Sequence, residues 1–195
     1  MTPPRRLILG ISGATGIVYG VRLLEVLRDA GIETHLIVSA PSEKTRELET
    51  ELSAAGLKAL ANAAYEPWDL GAPVASGSFR TLGMIVAPCS VRTVSGIAYG
   101  TGSNLLTRAA DVCLKERRRL VLMVRESPLS LVHLRAMVAA TEAGAVIAPP
   151  VPAFYARPKT LAEMVDHTVG RMLDLFGIEN GLAPRWGEVQ PGGEA

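Results

Sequence analysis

Two cysteines, Cys89 and Cys113, are all this chain of 195 residues contains, and they stand far apart and outside any C-x-x-C arrangement. That excludes a disulfide framework and makes a reducing cytoplasm the expected compartment. The three histidines, His35, His133 and His167, have no metal-ligand spacing, so no metal site is expected. Charge of one sign is missing too. Lys plus Arg number 20 and Asp plus Glu 19, which leaves a formal net charge of +1. No global field draws the chain to nucleic acid or to a membrane surface, and any anion must be held by a local cluster. No apolar run approaches the roughly 20 residues of a membrane span. The segment Leu7 to Ile11 is too short for a signal-peptide core.

What is present is a soluble, globular composition, 48% hydrophobic and 20% charged, of a length that suits one domain. Leu7 to Ile11 reads as a buried strand. A glycine-rich turn follows, Gly10-Ile11-Ser12-Gly13-Ala14-Thr15-Gly16, and then a helix over Gly16 to Ala30. Gly lets backbone N–H groups approach an anion. The helix start adds its positive dipole end, and Ser12 and Thr15 add hydroxyls. The glycine spacing matches neither a Walker loop nor G-x-G-x-x-G, so a ligand-free turn is the competing reading of this segment alone.

Further strands are expected at Glu33 to Val38, Met84 to Ala87 (stopped by Pro88), Leu120 to Val124 and Ala145 to Ala148. Helices are expected at Pro41 to Leu52, Leu57 to Tyr65, Val91 to Ala98, Asn104 to Glu116, Ser130 to Ala143 and Thr160 to Phe176, with Glu66 to Arg80 irregular. Short apolar strands alternating with amphipathic helices imply a parallel sheet covered on both faces. Ligands in such folds bind beyond the carboxyl ends of the strands. The polar clusters Ser12 to Gly16, Ser39, Cys89 to Thr93, Arg125-Glu126 and Pro149 to Tyr155 all follow strands, so they should converge on one crevice.

Individual residues carry competing readings. Ser90, with Thr93 three residues on, is an anion cradle or an ordinary helix cap. Cys89 has no His partner and reads as packing. Arg125-Glu126 at a strand end is a phosphate fork with a proton-transfer carboxylate, or a surface ion pair. Lys115 either complements its helix dipole, as Arg117, Arg118 and Arg119 do, or points into the crevice. Glu49 and Arg171 are helical residues with solvated faces as their default, and Tyr155 has core capping as its default.

Taken in order, these segments resemble the UbiX-type flavin prenyltransferase family. The matching pieces are the Gly10 to Gly16 turn, Leu48-Glu49-Thr50-Glu51, Pro88-Cys89-Ser90-Val91-Arg92-Thr93, the run Asn104 to Arg118, Arg125-Glu126-Ser127-Pro128, Gly144 to Tyr155, and Arg185-Trp186-Gly187. The resemblance runs from about Arg6 to Gly187. It implies a three-layer α/β fold, Rossmann-like (flavodoxin-like), in a single FMN-binding domain over 1–187 with a flexible tail over 188–195.

It also implies transfer of a dimethylallyl group from dimethylallyl monophosphate to N5 and C6 of reduced FMN, without a metal. The product would serve a UbiD-type decarboxylase, and the chain would assemble as a homododecamer with sites between subunits.

Carried over by position, Gly13, Ala14, Thr15, Ser39, Ser90, Val91, Arg92, Thr93 and Arg125 would hold FMN. Arg108 would reach it across an interface. Lys115, Glu126, Tyr155 and Arg171 would hold the prenyl phosphate, with Trp186 closing over it. Glu49 would stand near the reacting flavin edge, and Thr15 would offer a hydroxyl for a proton relay. The family commonly has Ser where this chain has Thr15, and Asp where it has Glu51. Alternatives are an FMN-dependent cysteine decarboxylase, whose helix histidine is missing here, and a non-catalytic flavin carrier, which would not need Lys115, Glu126, Tyr155 and Arg171 together. A direct phenolic-acid decarboxylase lacks carboxylate-expelling machinery in this sequence.

Overall fold

A computed structural model describes residues 5–182, so Trp186 and the expected tail at 188–195 lie outside the described residues. The chain divides into a sheet-bearing unit that ends at Pro150 and a C-terminal unit that begins at Val151.

The first unit holds strands β1 (Arg6–Ile11), β2 (Glu33–Val38), β3 (Ala63–Tyr65), β4 (Gly83–Cys89), β5 (Arg119–Val124) and β6 (Val146–Ile147). Its helices are α1 (Ile17–Asp29), α2 (Ala40–Glu49), α3 (Ala54–Ala59), α4 (Val91–Ala98), α5 (Leu105–Lys115) and α6 (Leu131–Glu142). The sheet runs β3-β2-β1-β4-β5-β6 with every neighbouring pair parallel. Strand order therefore reverses between β1 and β4, and that switch point is where such sheets open a ligand crevice. Alternate residues of β1 serve opposite faces. Ile8 joins Met84, Val86, Leu106 and Ala110 in one core layer. Ile11 packs under Gly20 of α1 on the other face, where Leu23, Leu24 and Leu27 are fully buried.

Two expectations are corrected. Leu57 to Tyr65 is not one helix. Ser53 caps an earlier start by accepting the Gly56 N–H at 2.9 Å, and α3 ends at Ala59. Asn62 then accepts both the N–H and the hydroxyl of Thr34, at 2.8 and 3.1 Å, which draws Ala63–Tyr65 onto β2 as an added edge strand. Alanine-rich helix propensity loses here to sheet pairing. Nor does Pro88 stop β4. The ladder shifts register between Val86 and Cys89 and resumes at Cys89 opposite Val124, so the residue without an N–H falls in the shift.

The β3 edge is tied to its neighbours by a polar cluster. His35 Nε2 meets Glu33 Oε1 at 3.0 Å, and its Nδ1 meets the Tyr65 hydroxyl at 2.8 Å. Arg6 donates to Glu33 at 3.0 Å and lies over the Phe79 ring. Helix α6 turns Leu131, Val132, Leu134 and Val138 outward, an apolar face that is exposed among the described residues.

The C-terminal unit carries a 3-10 turn at Phe154–Ala156 and helix α7 (Leu161–Asp174). Thr160 caps α7 by accepting the Glu163 N–H at 3.2 Å. Among the described residues no helix is long and apolar enough to cross a membrane.

Candidate functional site

The loops after β1 and β4 are locked together at the switch point. Ser12 donates from its N–H and its hydroxyl to the Pro88 carbonyl, both at 3.1 Å, and its Oγ accepts the Ser90 N–H at 2.8 Å. Its hydroxyl is buried and fully used, so Ser12 is a clamp rather than a ligand-facing donor. The loop after β2 is fixed in the same way. Ser39 donates its N–H to the Ile11 carbonyl at 2.9 Å, and Ser42 donates its hydroxyl to the same carbonyl at 2.8 Å. Arg125 N–H reaches the Cys89 carbonyl at 3.0 Å, which joins the loop after β5 to the same edge.

The start of α1 is closed, contrary to the expectation that it faces an anion. Helix α2 ends at Glu49 rather than Leu52, and Thr50 turns extended, so Glu49 is the last helical residue of α2. Its Oε2 accepts the N–H groups of Gly16 at 2.8 Å and Ile17 at 3.1 Å. Gly16 is the left-handed N-cap residue, with φ 102°, and offers no side chain for the job. A carboxylate 33 residues away in sequence supplies the cap.

The start of α4 is the open one. Ser90 Oγ accepts only the Thr93 N–H, at 3.3 Å, and pairs with the Thr93 hydroxyl. Ser90 is thus the helix cap that the sequence allowed. The first-turn N–H groups of Val91 and Arg92 have no intrahelical partner. Among the described residues no hydrogen bond engages them, the N–H groups of Gly13 and Thr15, or the Arg92 and Arg125 guanidinium groups. Glu126 lies at the same edge and accepts the Ser127 N–H at 3.1 Å, and the surface ion pair considered for Arg125 and Glu126 is not formed. Gly13 packs so closely on Pro41 that a Cβ would lie 2.6 Å from the proline Cβ.

Lys115 is not brought into this crevice. It ends α5, just before Arg119 opens β5 at the amino edge of the sheet, opposite Gly83. Glu126 follows the other end of β5. A six-residue strand separates them by about 17 Å at roughly 3.3 Å per residue. Lys115 pairs instead with Glu116, and both lie against Gly77, where a Cβ would meet the carboxylate and sit 2.9 Å from the ammonium. Arg108 is half-buried on the same helix, bonded to Asp111 at 2.7 Å and to the Ala75 carbonyl at 3.3 Å.

In the C-terminal unit, the Tyr155 hydroxyl lies 3.3 Å from His167 Nε2, and Arg171 binds Asp174 at 2.6 Å. Sequence reasoning treated His167 only as a non-ligand histidine. The missed signal is its spacing of four from Arg171, which puts both on one face of α7.

The thiols are inert. Burial pushes Cys89 far up and Cys113 up to about 12. Among the described residues no group of three His, Cys, Asp or Glu could hold a metal ion.

A family model described as Flavoprotein matches residues 1–181. The chain is 55% identical over 185 residues to the flavin prenyltransferase UbiX of Escherichia coli K12, covering 93% of this chain and 98% of that one. It superimposes on the crystal structure of AnUbiX (PadA1) in complex with FMN and dimethylallyl pyrophosphate with a TM-score of 0.93 at 48% identity, covering 96% of this chain and 100% of that one. A dodecameric FMN-dependent Ubix-like decarboxylase from Escherichia coli O157:H7 matches with a TM-score of 0.90 at 50% identity, covering 93% and 98%.

Proposed function

Because the chain belongs to the flavoprotein family, and within it is similar over its length to flavin prenyltransferases, we propose that it transfers a dimethylallyl group from dimethylallyl monophosphate to reduced FMN. The transfer joins N5 and C6 of the flavin and closes a fourth ring. The observation that carries this reading is the carboxyl edge of the sheet. N–H groups and two guanidinium groups that no hydrogen bond engages among the described residues stand there, with two carboxylates, Glu49 and Glu126, at the same edge. We treat both units as one functional domain, a reading supported by the family model that spans them.

The residues present fit FMN. A phosphate monoester needs several donors and close backbone approach. The open start of α4 offers Val91 and Arg92, the β1 loop offers Gly13 and Thr15, and Ala14, Ser39, Thr93 and Arg125 complete the edge. The start of α1 is a poor phosphate seat because the Glu49 carboxylate already holds it. Reduced flavin, when bound, supplies electron-rich N5 and C6 as acceptors of the prenyl carbons.

Ionisation of an allylic phosphate builds negative charge on the leaving oxygen and cationic character on the prenyl group. Arg171 and Lys115 stabilise the oxygen, and Tyr155 donates a hydrogen bond to it. Glu126 delivers a proton to the departing phosphate, and Glu49 or the phosphate accepts the proton lost from C6. Lys115 and Arg108 reach the site from a second copy of the chain. Support comes from the distance of Lys115 from its own carboxyl edge, the exposed apolar face of α6 and the dodecameric relative.

The prenylated flavin serves a UbiD-type decarboxylase, and the free, buried thiols suit a reducing cytoplasm.

The test is anaerobic incubation with reduced FMN and dimethylallyl monophosphate, followed by mass analysis of the flavin. Gain of one dimethylallyl unit, lost in Lys115→Ala and Glu126→Gln, is expected. Bound but unmodified FMN with both monophosphate and diphosphate donors would overturn the reading in favour of a carrier.

A further inference from the structure

His167 is buried to 7% exposure on α7, yet its Nε2 stands 3.3 Å from the hydroxyl of Tyr155, which is half-exposed in the 3-10 turn at Phe154–Ala156. The rings meet edge to face, with centroids 5.6 Å apart and planes at 83°. Arg171 stands one turn further along α7 on the same face, anchored to Asp174 at 2.6 Å. A buried imidazole, a phenol and a guanidinium therefore form one polar row in the C-terminal unit.

We propose that His167 is a positioning residue for the prenyl-phosphate site, holding the Tyr155 hydroxyl so that its hydrogen points to an anionic oxygen. This rests on the reading of Tyr155 and Arg171 as phosphate-binding residues. A phenol has one hydrogen and can also accept. If His167 Nε2 is bare, it takes that hydrogen and the phenol presents only lone pairs, which repel a phosphate. If Nε2 carries hydrogen, it donates to the phenol oxygen and leaves the phenolic hydrogen for another acceptor. A phosphate beside Arg171 selects the second arrangement, because only that one adds a donor to the anion. Burial, and then the Arg171 charge, hold the imidazole below its ordinary range, so it is neutral near pH 7 and both tautomers are open to it. A phenylalanine at 167 would keep the ring packing and lose this control. Glutamine would restore an N–H donor.

The experiment measures binding of dimethylallyl monophosphate to the FMN-loaded protein by calorimetry, which does not depend on turnover. His167→Phe and His167→Gln are each made in the wild-type and Tyr155→Phe backgrounds. Loss of the hydrogen bond that holds the Tyr155 oxygen, and with it the direction of the phenolic hydrogen, weakens binding by up to about tenfold. His167→Phe should show that loss with FMN affinity unchanged, His167→Gln should recover most of it, and His167→Phe should add nothing once Tyr155 is Phe. Unchanged donor affinity in His167→Phe would overturn the proposal, as would the same loss in both backgrounds, which marks simple packing. Failure of the wild-type protein to bind the donor would overturn the underlying reading of the site and this proposal with it.

Discussion

Glu49 caps a helix it does not belong to: its Oε2 accepts the Gly16 N–H at 2.8 Å, and Ile17 adds a second N–H at 3.1 Å. The carboxylate is thereby fixed beside the β1 loop while also compensating the positive end of α1.

Two effects of substitution should separate. Glu49→Ala removes the cap and should cost about 1–2 kcal/mol, lowering Tm by roughly 2–8 °C for a chain of this size. Glu49→Gln keeps an accepting oxygen and should cost less than half as much. If the carboxylate also takes the C6 proton, Glu49→Gln should transfer the prenyl group yet close the fourth ring at least about tenfold more slowly. Calorimetric melting and time-resolved mass and absorbance analysis of the flavin read the two effects independently. Normal ring closure in Glu49→Gln removes Glu49 from proton transfer and leaves it a cap.

Lys115 and Glu126 stand beyond opposite ends of β5, so one copy does not place both on one phosphate. If the lysine comes from a second copy, Lys115→Ala and Glu126→Gln chains, each inactive alone, should complement when co-assembled. Random pairing of two independent halves leaves about a quarter of the sites intact. Recovery near that fraction in a mixed-refolding assay is expected, and its absence in verified mixed oligomers would sink the arrangement.

Sheet, layers and the carboxyl-edge location were legible because buried parallel strands and amphipathic helices leave strong periodic signals. The β3 edge was not, because Ala61 to Tyr65 reads as helix until Asn62 meets Thr34 across 28 residues. The loops carrying Gly13, Ser39, Ser90 and Arg125 could be placed from strand ends alone. Which helix start stays open could not, since that depends on where α2 stops and where Glu49 then reaches. Lys115 shows the same limit: sequence marks its chemistry, while only the direction of α5 shows which edge it serves.

The Arg6–Glu33–His35–Tyr65 cluster should make stability fall on mild acidification. Burial first, then Arg6, lowers the His35 value despite the opposing pull of Glu33. For Glu33, burial works upward but the hydrogen bonds from Arg6 and His35 outweigh it. A lowered folded-state value means the unfolded chain binds the proton more readily. The His35 contribution is therefore complete above about pH 6.5 and is lost as pH falls from there through the folded value. The Glu33 contribution follows below its ordinary carboxylate range. The unfolding free energy from urea titration should drop between pH 7.5 and 5.5 by up to about 1.4 kcal/mol per pH unit for each such histidine, and the urea midpoint with it. His167 adds to the same slope, so His35→Gln should flatten it only in part. An unchanged slope in His35→Gln would show that the cluster does not couple folding to protons.

Gly20 tests how closely α1 lies on the switch-point strands. In an exposed helix interior, Gly→Ala gains about 1 kcal/mol. Here a Cβ would stand 2.6 Å from the Ala87 carbonyl oxygen and 2.9 Å from Ile11 Cδ1. The carbonyl belongs to β4 beside Pro88, whose own carbonyl takes two bonds from Ser12, so the backbone cannot retreat without loosening the β1–β4 clamp. Overpacking of this kind costs about 1–3 kcal/mol or more. The clash therefore outweighs the propensity gain, and Gly20→Ala should lower Tm by several degrees and weaken FMN binding through the displaced Ser12 and Ser90 loops. A raised Tm with unchanged FMN affinity would mean that α1 shifts freely on the sheet and that the clamp does not depend on it.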